Sequence, residues 1–326
     1  TDAPVVNGMN TILVDVPVNA APGQTYARFR LTSDIQSGGG LPTGLAVDGE
    51  VEDYALTIEN GTYLYGTGGD DAVNVWPGTP GGTRHRVQIN GANSYFDAAV
   101  YDMIYVDGLN GTDTLNVYGK ATSENAAFSG TSVHVSESSV YDFHGQGFKN
   151  IYVFGGGGTD TSQMLGSTGN DNFYVNHEYS YLRGNSNAYF NYVKNFATVS
   201  ADVSGDSGTD RTYMYDSPGD DILIAGETQA TLDFDSTVSP DVDVTAIGFD
   251  QVDTFGQNGG NDTATLTGSS GIDVFNARGE YGYLNGNGGA FYNYVKGFDV
   301  ITADVSVGGG ADTAMLYDSS DDDTLT

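Results

Sequence analysis

Cysteine is absent from this chain. That excludes a disulfide framework and any thiolate metal site. Basic residues are scarce: 11 Lys and Arg stand against 43 Asp and Glu, for a net charge of -32. A surface of that sign repels nucleic acid and anionic membranes, so neither is expected as a partner. No apolar run approaches the ~18 residues of a membrane span, and no window carries a long amphipathic-helix pattern. Proline is rare, at 8, whereas glycine numbers 47 and falls at regular turns. That fits many short strands rather than disorder. No signal peptide is visible and residue 1 is Thr, so the expectation is a mature or excised piece of a longer, secreted precursor. Catalytic patterns are also missing. The four histidines, His85, His134, His144 and His177, are scattered, and neither His-Glu-x-x-His nor Gly-x-Ser-x-Gly occurs.

What is present is repetition. Gly208-Thr-Asp-Arg-Thr-Tyr-Met-Tyr-Asp-Ser-Pro-Gly-Asp-Asp221 joins two glycine turns, each ending in aspartate, through a short strand. Asp160 and Asp171, Asp262 and Asp273, and Asp312 and Asp323 have the same spacing of eleven as Asp210 and Asp221. Asp113 opens an earlier copy, with Asn125 as a looser second member. The first aspartate recurs about every 50 residues, the mark of a repeat architecture. The closest copies, 167–216 and 269–318, are offset by 102. The intervening copy, 217–268, keeps the aspartates but replaces the tyrosine strands. Each copy holds about five runs of four to six residues rich in Val, Ile, Tyr, Phe and Thr, which read as strands.

Residues 1–60 are different. Thr25-Tyr-Ala-Arg-Phe-Arg-Leu31 alternates as a strand, and Gly49-Glu-Val-Glu-Asp-Tyr54 leads into another. Tyr26 to Arg30 followed by Gly49 to Tyr54 resembles the C-terminal half of the GEVED domain, a small β-sandwich of large secreted and surface proteins of bacteria. Residues 66–326 resemble the repeat regions found beside such domains, commonly read as β-helical. The acids Asp48, Glu50, Glu52 and Asp53 either bind calcium or are solvated and paired with Arg28 and Arg30. In the second reading Val51 and Tyr54 face the core.

The predicted fold is therefore all-β. A partial sandwich over 1–60 precedes a parallel β-helix, or β-solenoid, over 61–326 with about five repeats of about two coils each. A β-propeller with ~50-residue blades is the alternative. The drift of repeat length from 47 to 52 suits an open stack better than a closed ring. Stacking would place Asp160, Asp210, Asp262 and Asp312 in one acidic column. The candidate metal-binding residues are Asp113, Asp160, Asp171, Asp210, Asp221, Asp262, Asp273, Asp312 and Asp323, with calcium as the ion, because carboxylate oxygens are its natural ligands. These turns resemble those of calcium-binding β-rolls, although the latter recur every nine residues. The other reading has each aspartate capping its own turn through N–H bonds. Tyr179, Tyr181, Tyr192, Tyr281, Tyr283 and Tyr294 share a register and are expected to form a ladder rather than a sugar platform. Lys194 and Lys296, beside Asn191 and Asn293, occupy equivalent positions and read as scaffold.

These features point to an extracellular structural protein, a fibre or surface filament subunit joined head to tail through open solenoid ends and the N-terminal segment. An adhesin or glycan-binding module is the alternative. A β-helical polysaccharide lyase is less favoured, and no catalytic residue is assigned.

Overall fold

The structure is a computed structural model and describes residues 23–31, 50–58, 61–138, 140–205, 207–234, 242–306 and 309–317. The chain divides into two compact units, Thr1–Gly61 and Thr62–Thr326. In the first, Gly23–Leu31 pairs antiparallel with Glu50–Ile58. Arg28 lies directly opposite Asp53 and donates two hydrogen bonds of 2.7 Å to its carboxylate. Phe29 and Tyr54 meet edge to face at 5.6 Å. The expectation that Tyr54 faces a core is corrected: it is 53% exposed, because the described part of this unit is a lone two-stranded ribbon. Asp48 lies outside the described residues.

The second unit is a parallel β-solenoid. Its strands form two sheets, one of fourteen strands (sheet I) and one of twelve (sheet II). The chain visits them alternately. Period-2 patterning drives this: along Thr114–Tyr118, Leu115 and Val117 are fully buried while Asn116 and Tyr118 are half-buried on the outer face. Inward rows such as Val73, Val75, Leu115, Ile151 and Val153 from sheet I join Ile104, Val106, Phe128 and Val135 from sheet II in one continuous core.

Each ~50-residue unit has one plan. It begins with a three-stranded antiparallel meander, crosses to a single strand of the opposite sheet, and returns to a single strand of the first sheet. The first unit places Ala72–Trp76, His85–Ile89 and Ala92–Phe96 in sheet I, then Met103–Asp107 in sheet II, then Thr114–Tyr118 in sheet I. The second unit starts with its meander in sheet II, at Asn125–Ser129, Ser132–Glu137 and Tyr141–Gln146. The third meander, from Asn172, returns to sheet I, the fourth, from Ile222, lies in sheet II, and the fifth, from Val274, lies in sheet I. A unit is thus three sheet passages, one and a half circuits rather than the two expected. Because three is odd, successive units begin in opposite sheets. This explains the sequence relationships. Copies 102 apart match best because both place their meanders in sheet I, and 217–268 differs because its meander belongs to sheet II.

The outer faces differ accordingly. On sheet I, half-buried rings follow one another from Trp76 to Tyr118, Phe154, Tyr192, Tyr179, Tyr174, Tyr215, Phe255, Tyr294 and Tyr281, with centroids 5.0–6.1 Å apart. The expected ladder is present. Tyr181 lies opposite Tyr192, and Tyr283 opposite Tyr294. In contrast, sheet II aligns Ser200, Thr245 and Thr231 across three neighbouring strands. Lys194 and Lys296 pair with Glu178 and Glu280 at 3.4 and 3.8 Å, as scaffold residues would.

Candidate functional site

The acidic turns lie at the corners where the chain enters a strand. Their partners are not the residues eleven apart. Asp160 precedes a sheet II strand and Asp171 a sheet I strand, so the two stand at opposite corners. The contacts join acids 36–42 residues apart. Asp71 N–H donates to Asp113 Oδ1 at 2.7 Å, Glu124 N–H to Asp160 Oδ1 at 2.7 Å, Asp171 N–H to Asp210 Oδ1 at 2.6 Å, Asp221 N–H to Asp262 Oδ1 at 2.9 Å, and Asp273 N–H to Asp312 Oδ1 at 3.0 Å. Two chains extend further: Asp210 N–H donates to Asp250 and Asp262 N–H to Asp299, at 2.7 and 2.9 Å.

Two expectations are corrected here. The single column of Asp160, Asp210, Asp262 and Asp312 is really two. Asp113, Asp210 and Asp312 line the corner leading into sheet I, whereas Asp160 and Asp262 line the one leading into sheet II. The half-integral number of circuits is the cause. Second, Glu124 rather than Asn125 fills the place of the second acid in its unit, at the same spacing of eleven from Asp113. Allowing Glu for Asp would have found it. Asp323 lies outside the described residues.

The two acid positions have separate tasks. The one before each meander caps its own turn. Asp171 accepts from Ser167 N–H at 2.6 Å and from Ser167 Oγ–H; Asp221 and Asp273 do likewise with Ser217 and Ser269, and Asp71 with Thr67. The acid before each last strand instead caps the neighbouring rung, as given above. The residue ahead of the turn-capping acid adds another tie: Asp70, Ser123, Asn170 and Asp220 accept the N–H groups of Thr112, Thr159, Thr209 and Asn261 at 2.7–3.0 Å. The glycine of the Gly-x-Asp turn completes the corner. A Cβ on Gly208 would lie 2.2 Å from Gly169 O, and one on Gly260, whose φ is +120°, 2.0 Å from Gly219 O. Only glycine lets the rungs approach this closely.

Carboxyls this enclosed are electrostatically costly. Burial pushes Asp113 and Asp160 above the usual range. Burial, with repulsion from Asp160, pushes Glu124 up to about 8. Glu124 Oε2 and Asp160 Oδ2 are both buried without a hydrogen-bond partner. At the next sheet II corner, burial and repulsion from Asp221, Asp216 and Asp299 raise Asp262 to about 6. Here an acid stands in place of glycine. Asp216 occupies the position of Gly66, Gly119, Gly166 and Gly268, and the sequence repeats the aspartate 102 residues on, at Asp318. It is fully buried and accepts from Gln257 N–H, Asn258 N–H and Asn258 Nδ2–H, each at 2.8 Å. Oxygens of Asp216, Asp221 and Asp262 lie within 4.8 Å of one another. Three carboxylates are hard oxygen donors that could hold a divalent cation.

Comparison of the chain with family models, with curated proteins and with solved structures returns no match. The two histidines of the first sheet II meander, scattered in the linear sequence, lie together. His134 and His144 are directly opposite each other. Their spacing of ten, with strand-like runs on either side, was the available signal.

Proposed function

We propose that the chain is a structural β-solenoid module of an exported or cell-surface bacterial protein, joined end to end with further copies into a fibre. One observation carries this reading. The corner acids tie each rung to the next, Asp171 N–H to Asp210 and Asp221 N–H to Asp262 among them, so each unit needs only its neighbours and the stack lengthens by adding units, which supports a structural role. So does the aromatic ladder: most of its rings stack on ring neighbours, which leaves little ring face for a sugar.

The resemblance of residues 26–54 to half of a GEVED domain suits the same setting, since such domains occur in large secreted and surface proteins of bacteria. Calcium is proposed as a stabiliser at the Asp216–Asp221–Asp262 corner. Negative-stain microscopy and sedimentation of the purified chain test the assembly. Filaments, or rods lengthening with concentration, are expected. Dispersed monomers at every concentration and calcium level would refute it.

A further inference from the structure

We propose that His134, Asp142 and His144 form a binding site for one divalent transition-metal ion of the zinc class on the outer face of sheet II. The three side chains stand on adjacent strands, Ser132–Glu137 and Tyr141–Gln146. His134 lies opposite His144 in the antiparallel register, and their rings stack at 4.3 Å with an interplanar angle of 6°. Both Nε2 atoms converge on one oxygen, Asp142 Oδ1, at 2.5 and 2.9 Å. One donor atom from each residue falls within a 4.8 Å cluster.

Two imidazoles and a carboxylate are a ligand set for zinc or its late first-row neighbours, and a poor one for calcium. Zinc holds nitrogen and oxygen at about 2.0–2.2 Å. Donors in tetrahedral array then sit about 3.4 Å apart, so binding opens the present contacts by roughly 0.5–1 Å. The side chains are 38–43% exposed, and ring rotation supplies this without moving the strands. Three protein donors leave a fourth position open for water or an outside ligand. The chain's net charge of -32 draws cations to the surface.

The site is also a departure from the repeat. In the other sheet II meander, Thr231 and Thr245 form the same cross-strand pair, and Asp243 holds the place of Asp142. A histidine pair replaces the threonines once, on the outer face, where the fold does not require it. That substitution also supplies a control that folds: His134→Thr with His144→Thr copies a pair this solenoid already accommodates.

The test is isothermal titration of the full chain with zinc chloride in excess calcium, added to saturate hard-oxygen sites, followed by cobalt(II) absorption spectroscopy. One equivalent should bind, with tetrahedral or five-coordinate cobalt bands. The double threonine variant, with its fold checked by circular dichroism, should lose more than the ~10–100-fold affinity that an outer-shell partner contributes. Asp142→Asn should weaken binding less. No binding at 1:1 stoichiometry by the native chain, or equal affinity in the double variant, would overturn the proposal. Octahedral, all-oxygen cobalt bands would do so as well.

Discussion

A carboxylate at a solenoid corner holds two rungs together and is destabilised by its own burial. Asp210 accepts the Asp171 N–H from the adjoining rung. Asp210→Asn keeps an acceptor oxygen there and should cost under about 1 kcal/mol. Asp210→Ala leaves that N–H unmatched and should cost about 1–3 kcal/mol, read by urea denaturation. The raised acids set a pH dependence of unusual sign. Glu124, at about 8, and Asp262, at about 6, bind protons more tightly folded than unfolded. Their contribution is fully present below the unfolded carboxyl pKa near 4–4.5 and is lost as pH rises through 6 and then 8. Stability without calcium should therefore fall from pH 5 to pH 8. Glu124→Gln should flatten the upper part of that slope and raise the denaturation midpoint at pH 8. A midpoint that climbs over this range would contradict the assignment. At the Asp216 corner, calcium should raise the melting temperature and excess chelator lower it. Asp262→Asn, which keeps the cap on Asp221, should remove most of that difference.

At the scale of the strand and corner, much was legible in the sequence. Period-2 runs such as Thr-Leu-Asn-Val-Tyr118 marked the strands. The Gly-x-Asp beat marked the corners, and the shared spacing of Tyr179, Tyr181 and Tyr192 marked the ladder. What was hidden was which corner meets which. Spacing of eleven is conspicuous because it is constant, yet it joins opposite edges, whereas the touching pairs drift between 36 and 42 residues as turns vary in length. A meander and a single strand also look alike in a linear pattern, so one and a half circuits could not be told from two. Glu124 was missed because the pattern was written for aspartate, and the His134–His144 pair because it depends on a hairpin register. Gly260 tests the corner geometry itself. Gly260→Ala places a Cβ against Gly219 O in a backbone conformation disfavoured for alanine, and should cost about 1–3 kcal/mol or more in denaturation.

For the whole molecule, a stack held by nearest-neighbour ties should open from its ends. Amide exchange is expected to be slowest around Leu115 to Val199, where rungs are covered on both sides, and faster along Thr313–Tyr317. Uniform protection across both would mean that the last rung is covered in solution. The odd count of sheet passages has one more consequence, for how such a chain can lengthen. Inserting a single unit would turn every later meander onto the other side, placing tyrosines among the threonines and threonines among the rings. Only tandem duplication of two units, about 102 residues, leaves each flank with its own chemistry, so the evolutionary step of this protein is expected to be the pair.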